Sequence, residues 1–213
     1  MSLADLERTL GRRLARLTTN AVLVRPRLWR VFRWLTRAQF DRLAPSWDAM
    51  RRPDAFAALE LALDAIPAQP RRILDLGTGT GAAAFLAAER FPSAQVVGVD
   101  LAAGMLEQAR ANTQPELGER VRFQVADAAK LAFDDASFDL ITLSNMIPFF
   151  DELHRLAASG GHLVFSFSAG PETPIWVPPE RLRRELADRG FSDFADFEAA
   201  GGTALLARKA GSV

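Results

Sequence analysis

The chain has 213 residues, 49% hydrophobic and 24% charged, which is the make-up of an ordinary globular protein and excludes a disordered or collagen-like one. With no cysteine and only His154 and His162 as histidines, disulfide scaffolds, thiolate-held zinc or iron–sulfur centres and thiol nucleophiles are excluded, and no metal site is expected. The formal net charge of zero hides a polarity: residues 1–37 carry nine arginines against Asp5 and Glu7, and residues 38–213 carry a matching negative excess.

Leu3, Leu6, Leu10, Leu14 and Leu17 recur at three- and four-residue spacing and predict one apolar helix face. Thr18, Thr19 and Asn20 interrupt it, and Pro26 stands near the start of a second helical stretch, RPRLWRVFRWLTRAQF. Residues 1–37 therefore read as a basic amphipathic helical extension on a domain of residues 38–213. Such a segment can close over the domain as a lid, lie on an anionic membrane surface or bind nucleic acid, the last being the least expected. No apolar run reaches the roughly 18 residues of a membrane span, and the N-terminus lacks the pattern of a secretory signal. The expected location is the cytoplasm, with room for peripheral contact at the inner face of the membrane. Residues 54–66 predict a further helix with Asp54 as its cap, closed by Pro67 and Pro70.

From residue 71 short apolar runs alternate with helical stretches. RILDL (72–76), AQVVGVD (94–100), RVRFQVA (120–126), FDLITLS (138–144) and HLVFSFS (162–168) read as strands. GAAAFLAAERF, AAGMLEQARANT and FFDELHRLAAS read as the helices between them. RLRRELADRG predicts a last helix, and FSDFADFEA and TALLARK two strands joined across Gly201-Gly202. The expected fold is α/β: a doubly wound, mostly parallel seven-stranded sheet with an antiparallel C-terminal hairpin, in a three-layer sandwich with a helical N-terminal extension.

ILDLGTGTG (73–81) leads from a strand into a helix. Gly77, Gly79 and Gly81 allow a tight turn and close approach of a ligand to the backbone, beside the free N–H groups of the helix start. Alone, this is a generic nucleotide-binding turn or a ligand-free tight turn. Asp100 ends the second strand about 20 residues on, where a carboxylate accepts from ribose hydroxyls or merely caps the next helix. Asp127 follows the third strand, where an acid can accept from an adenine amino group or form a turn.

With these motifs together, the chain resembles the class I S-adenosylmethionine-dependent methyltransferases. The resemblance rests on ILDLGTGTG, VVGVDLAAGMLEQAR, VRFQVADAAKLAF, SFDLITLSNMI and ELHRLAASGGHLVFSFS, about residues 71–168, and FDRLAPSWD (40–48) resembles the family's preceding segment with Phe and Trp for Tyr. It implies that Asp75 and the backbone at Gly77, Thr78 and Gly79 hold the methionine end of the donor and that Asp100 holds the ribose. Leu101 then packs on adenine, Asp127 and the Ala128 N–H read its edge, and Ser144 and Asn145 line the methyl-transfer site. The implied reaction is in-line methyl transfer to a small apolar or aromatic acceptor, with S-adenosylmethionine as the cofactor.

The stretch from Asn145 to Gly160 is short, and Pro148-Phe149-Phe150 replaces the family's usual His-His. The acceptor pocket is therefore expected under the N-terminal residues, the 145–150 loop and PETPIWVPP (171–179), with Phe40, Trp47, Met146, Phe149, Phe150 and Trp176 as its wall or as plain core. No general base stands out among His154, His162, Asp41, Asp48 and Asp151. A catalytically silent S-adenosylmethionine-binding protein and a nicotinamide-dependent oxidoreductase are the rival readings. The Gly-x-Gly-x-Gly spacing, with Ala82 at the last position of the nicotinamide pattern, argues against the second.

Overall fold

The computed structural model describes residues 3–211, with side chains from residue 11 onward. The helices are α1 (Leu3–Val24), α2 (Trp29–Leu43), the single turn α3 (Trp47–Met50), α4 (Ala57–Asp64), α5 (Ala82–Arg90), α6 (Ala103–Asn112), α7 (Phe150–Leu156) and α8 (Pro179–Ala187). The strands are β1 (Arg72–Leu76), β2 (Gln95–Asp100), β3 (Val121–Val125), β4 (Phe138–Ser144), β5 (Ala157–Phe167), β6 (Phe191–Ala199) and β7 (Gly202–Lys209). They form one sheet in the order β3-β2-β1-β4-β5-β7-β6. The first five are parallel, and β7 runs antiparallel between β5 and β6.

Alternation along the central strands decides which layer each side chain enters. Ile73, Val96, Leu140 and Val164 face α4 and α5, whose alanines and leucines form one apolar core. Leu74, Leu76, Ile141, Leu143 and Phe165 face the other way, onto α7, α8, Val22 and Trp29. Strands buried on both faces read as continuous apolar runs, which is why RILDL and FDLITLS have the bounds that their sequence predicts. Between β3 and β4 the chain has no helix. Arg155 of α7 holds that connection, donating to the Leu131 and Phe133 carbonyls and pairing with Glu152 and Asp135.

Four of the differences from the sequence expectation bear on the fold. α1 runs unbroken through Thr18–Asn20, because the buried Thr19 hydroxyl donates to the Ala15 carbonyl one turn back (2.9 Å) and stays inside the helix. The side chains of Leu3, Leu6 and Leu10 lie outside the described residues. Asp54 does not cap α4; it pairs with Arg52, and α4 starts three residues later. Residues 157–159 belong to β5 and not to the preceding helix: Ala157 pairs with Phe138, and the ladder resumes at His162 after an irregularity. Gly160 (φ +73°) and Gly161, where a Cβ would lie 2.9 Å from the Ala158 carbonyl oxygen, make that bulge. Finally, the hairpin turns on Ala200 (φ +50°) and Gly201 (φ +77°), and Gly202 is already the first residue of β7.

Ile141 lies fully buried at the middle of β4. Ile141→Ala is expected to destabilise the fold by about 2–5 kcal/mol. A shift of the urea midpoint at unchanged m-value checks this, and a loss below about 1 kcal/mol would show that the central layer can collapse around the cavity.

Candidate functional site

The carboxyl ends of β1, β2, β3 and β4 gather at one edge of the sheet, where open α/β folds take their ligands. After Leu76 the backbone enters the left-handed region at Gly77 (φ +67°), Gly79 (φ +53°) and Gly81 (φ +91°) before α5 begins. A side chain at Gly77 would also collide with Met146, whose Sδ lies 2.7 Å from the Cβ position. The loop is fixed by the Thr78 N–H on the Val99 carbonyl (3.0 Å) and by the Gly79 N–H on Asp100 Oδ2 (2.9 Å).

Asp100 Oδ1 accepts from the Ala102 N–H (2.9 Å), so one carboxylate holds both the glycine loop and the turn into α6. Ala102, not Asp100, is the cap residue of α6, and Asp100 fixes that residue's N–H. Burial pushes its carboxyl above the usual carboxylate range, against the backbone N–H groups of Ala102 and Gly79, and the charge of Asp41 adds to the rise. Asp75 lies beneath the loop and is 1% exposed. Thr142 donates to its Oδ1 (2.7 Å), while Oδ2 has no partner. Burial pushes this carboxyl up to about 6 and Asp100 adds to the rise, while the nearby Thr78 and Thr142 hydroxyls and the Ala84 N–H oppose it.

At the end of β3, Asp127 faces α2. Its Oδ1 accepts from Trp29 Nε1 (2.7 Å) and the Ala129 N–H (3.0 Å), and its Oδ2 pairs with Arg33 (3.2 Å). Leu101 and Ala128 pack in the same apolar cluster as Trp29. At the end of β4, Ser144 and Asn145 turn to β5. Ser144 Oγ lies 2.8 Å from Ser166 Oγ, and Asn145, at φ +51°, accepts from the Ser168 N–H and donates to its hydroxyl.

Over these strand ends lies an apolar wall of Val22, Trp29, Met146, Ile147, Phe149 and Trp176. Trp29 meets Phe149 edge-on at 5.5 Å, and the buried Trp176 N–H has no partner. α1 is held down by Arg16 on the Pro171 carbonyl (2.6 Å) and by Arg181 on the Leu23 carbonyl (3.1 Å). Of the other expected wall residues, Phe150 belongs to the same apolar cluster, and Phe40 and Trp47 belong to a separate one. Phe40 and Trp47 pack on each other over Ala44, Ala102 and Met105, beside Gly79, and Phe150 packs under Arg189.

Asp41 and Asp48 do reach the mouth. Asp41 accepts from the Gly104 N–H (2.9 Å), and Asp48 accepts from Thr80 (2.6 Å), Arg51 (2.7 Å) and Asn112 (2.9 Å). His154, His162 and Asp151 do not. His154 is exposed on α7 beside Phe191, His162 is level with Arg208 at the amino end of the sheet, and Asp151 pairs with Arg189. Sequence reasoning missed Trp29, Arg33 and Thr142. The first two stand four residues apart on α2, the spacing of one helix face, which was the only signal they gave.

A family profile described as a methyltransferase domain matches residues 73–161. The demethylmenaquinone methyltransferase of Thermus thermophilus is 41% identical over 140 residues, covering 59% of this chain and 62% of the relative. A ubiquinone/menaquinone biosynthesis C-methyltransferase of Geobacter sp. is 30% identical over 158 residues, 66% of each. The chain thus spans less than two thirds of the length of these relatives. Human N-acetylserotonin methyltransferase, solved in complex with S-adenosylmethionine, shares the fold with a TM-score of 0.59 at 20% identity, over 74% of this chain and 53% of that one. A hairpin-ended sheet, a glycine loop clasped by an acid from the next strand and these likenesses agree: residues 73–161 form a methyltransferase domain, and the sheet around them has the class I S-adenosylmethionine-dependent methyltransferase fold.

Proposed function

We propose that this chain transfers a methyl group from S-adenosylmethionine to a ring carbon of an apolar, quinone-type acceptor. The observation that carries the reading is the wall of Val22, Trp29, Met146, Ile147, Phe149 and Trp176 over the strand ends, with one buried donor, the Trp176 N–H, left without a partner. An apolar ring bearing an oxygen suits such a wall, since the oxygen would satisfy that N–H. The names of the two curated relatives, both of quinone methylation, support the same acceptor class.

The residues at the strand ends fit the donor. Asp75 Oδ2 is a buried carboxylate oxygen in want of a donor, and we assign it to the ammonium group of the methionine end. The backbone at Gly77, Thr78, Gly79 and Gly81 would hold the rest of that end. Asp100 would take the ribose hydroxyls, Leu101 the adenine face, and Asp127 with Ala128 its edge. Ser144 and Asn145, bonded to β5, would form the floor beside the acceptor. When bound, S-adenosylmethionine supplies a methyl carbon already activated by its sulfonium charge. The protein is left to aim the acceptor and exclude water, and the wall does both. Asp41 and Asp48 are engaged in structural hydrogen bonds, so the acceptor's own ring hydroxyl is assigned the task of making the ring carbon nucleophilic.

Asp127 already holds Trp29 and Arg33, so adenine must share or displace α2. Residues 1–37 then act as part of the roof on the 38–213 domain. Arg33→Gln removes a half-exposed ion pair and is expected to raise the donor association rate up to about fivefold in stopped-flow fluorescence. A slower rate would show that Arg33 helps to hold the donor.

Incubation with S-adenosylmethionine and a reduced naphthoquinone lacking its ring methyl is expected to release S-adenosylhomocysteine and add one CH2 to the acceptor mass. Release only with hydroxyl or carboxyl acceptors would sink the ring-carbon assignment. Asp100→Ala should weaken donor binding by about 10- to 100-fold in calorimetry, the worth of charge-assisted hydrogen bonds, with Asp100→Asn as fold control. Unchanged affinity would remove the ribose assignment.

Asp75 titrates higher folded (about 6) than at its ordinary value of 3.8. The proton it retains therefore stabilises the fold fully below pH 3.8, and this contribution is lost as pH rises through about 6. Asp75→Asn, which carries no buried charge, should gain stability over the native protein at pH 8, up to about 3 kcal/mol, and lose that advantage towards pH 4. Urea titrations at both pH values check this, and parallel pH profiles for the two proteins would show that Asp75 is not the group responsible.

A further inference from the structure

We propose that the outer face of the α1–α2 segment docks on an anionic lipid bilayer. Residues 11–40 contain eight arginines and no aspartate or glutamate. α2 is apolar on two opposite sides. Trp29, Phe32 and Phe40 face the domain, while Val31, Trp34 and Leu35, at helical spacing on the other side, are 66%, 70% and 54% exposed. On α1, Leu14, Leu17 and Val24 stand at helical spacing and are also exposed, at 56%, 66% and 69%. A helix that needed only one apolar face to dock would carry polar residues on the other.

The arginines are divided in the same way. Arg12 and Arg16 donate to carbonyls of the 171–173 segment, and Arg33 and Arg37 pair with Asp127 and Asp41. Arg13, Arg25, Arg27 and Arg30 are exposed and form no ion pair among the described residues. The outer surface therefore combines unanswered positive charge with exposed Trp, Leu and Val. A second copy of this chain would set arginine against arginine. A nucleic acid would answer the charge but leave Val31, Trp34 and Leu35 in water. A bilayer answers both: the apolar side chains enter the acyl boundary, Trp34 sits at headgroup depth, and the arginine stems reach back to lipid phosphates.

The docked helix is the one whose inner face lies on Asp127, so bilayer and strand-end crevice share α2. An apolar acceptor dissolved in the bilayer would then reach the crevice without crossing water, a consequence that rests on the acceptor class proposed above. The docking itself does not, and its test uses vesicles that hold no acceptor.

The full chain is floated with phosphatidylcholine vesicles and with vesicles containing about one third phosphatidylglycerol. At least tenfold tighter binding to the anionic vesicles is expected, weakening as salt is raised. Trp34→Ser with Leu35→Ser should reduce it at least tenfold, and Arg27→Gln with Arg30→Gln about 25-fold, near fivefold per arginine. Both pairs lie on the outer surface, and thermal melting reports whether each folds; if the Trp34 pair does not, the arginine pair carries the test. Brominated lipid should quench the protein's fluorescence, and Trp34→Phe should abolish most of that quenching. No flotation, equal flotation with neutral vesicles, unchanged binding of the folded variants, or a dimer that the Trp34 change dissolves would each overturn the proposal.

Discussion

The carboxylate of Asp100 is the constraint on which the strand-end site is built. Its two oxygens accept from the Gly79 and Ala102 N–H groups, so the glycine loop after β1 and the turn after β2 cannot move independently. A loop with three left-handed glycines has high conformational freedom to lose, and a charged acceptor that ends on a rigid parallel strand offsets part of that loss. The arrangement concentrates negative charge: Asp75 lies one strand away beneath the same loop and is made harder to ionise by Asp100, as Asp100 is by Asp41. A cationic ligand relieves that kind of stress, so the cluster that is costly in the protein alone suits the donor assignment proposed above, with its sulfonium and ammonium groups.

The second organising contact is α2 on Asp127. Trp29 and Arg33 bring a positive, aromatic helix face over the third strand end and close the apolar wall from above. The opposite charges of the N-terminal segment and the remainder of the chain therefore have a local meaning at Asp127 and Asp41, where arginines of the first meet acids of the second. Only part of the segment's charge is consumed in this way.

Elements whose cause is local were legible in the sequence. β1 and β4 have their predicted bounds because burial on both faces leaves a continuous apolar run, and Asp100 stood out because strand, glycine loop and acid follow one another at short range. Features decided by distant partners were not. The Trp29–Asp127 bond joins residues 98 apart, and nothing near either residue announces the other. Thr19 looked like a helix breaker because its hydroxyl competes with the backbone in an open chain; folded, the same hydroxyl bonds one turn back and is buried. Gly160-Gly161 looked like the gap before a strand and is a bulge within one, a distinction that depends on the neighbour β4. The histidines drew attention as chemical groups, yet topology alone sends both away from the strand ends.

α2 also shows why amphipathicity by itself underdetermines a helix's role. Trp29, Phe32 and Phe40 are enough to dock it, and that face accounts for its place in the fold. Val31, Trp34 and Leu35 add nothing to that docking, because they point the other way. Exposed apolar side chains scattered singly need no explanation, but three at helical spacing on α2, with three more at helical spacing on α1 and arginines without acids between them, have a pattern of their own. The inner face explains how the site is roofed. The outer face is a separate feature of the same residues, and a helix with both is suited to connect the strand-end crevice with whatever that outer surface meets.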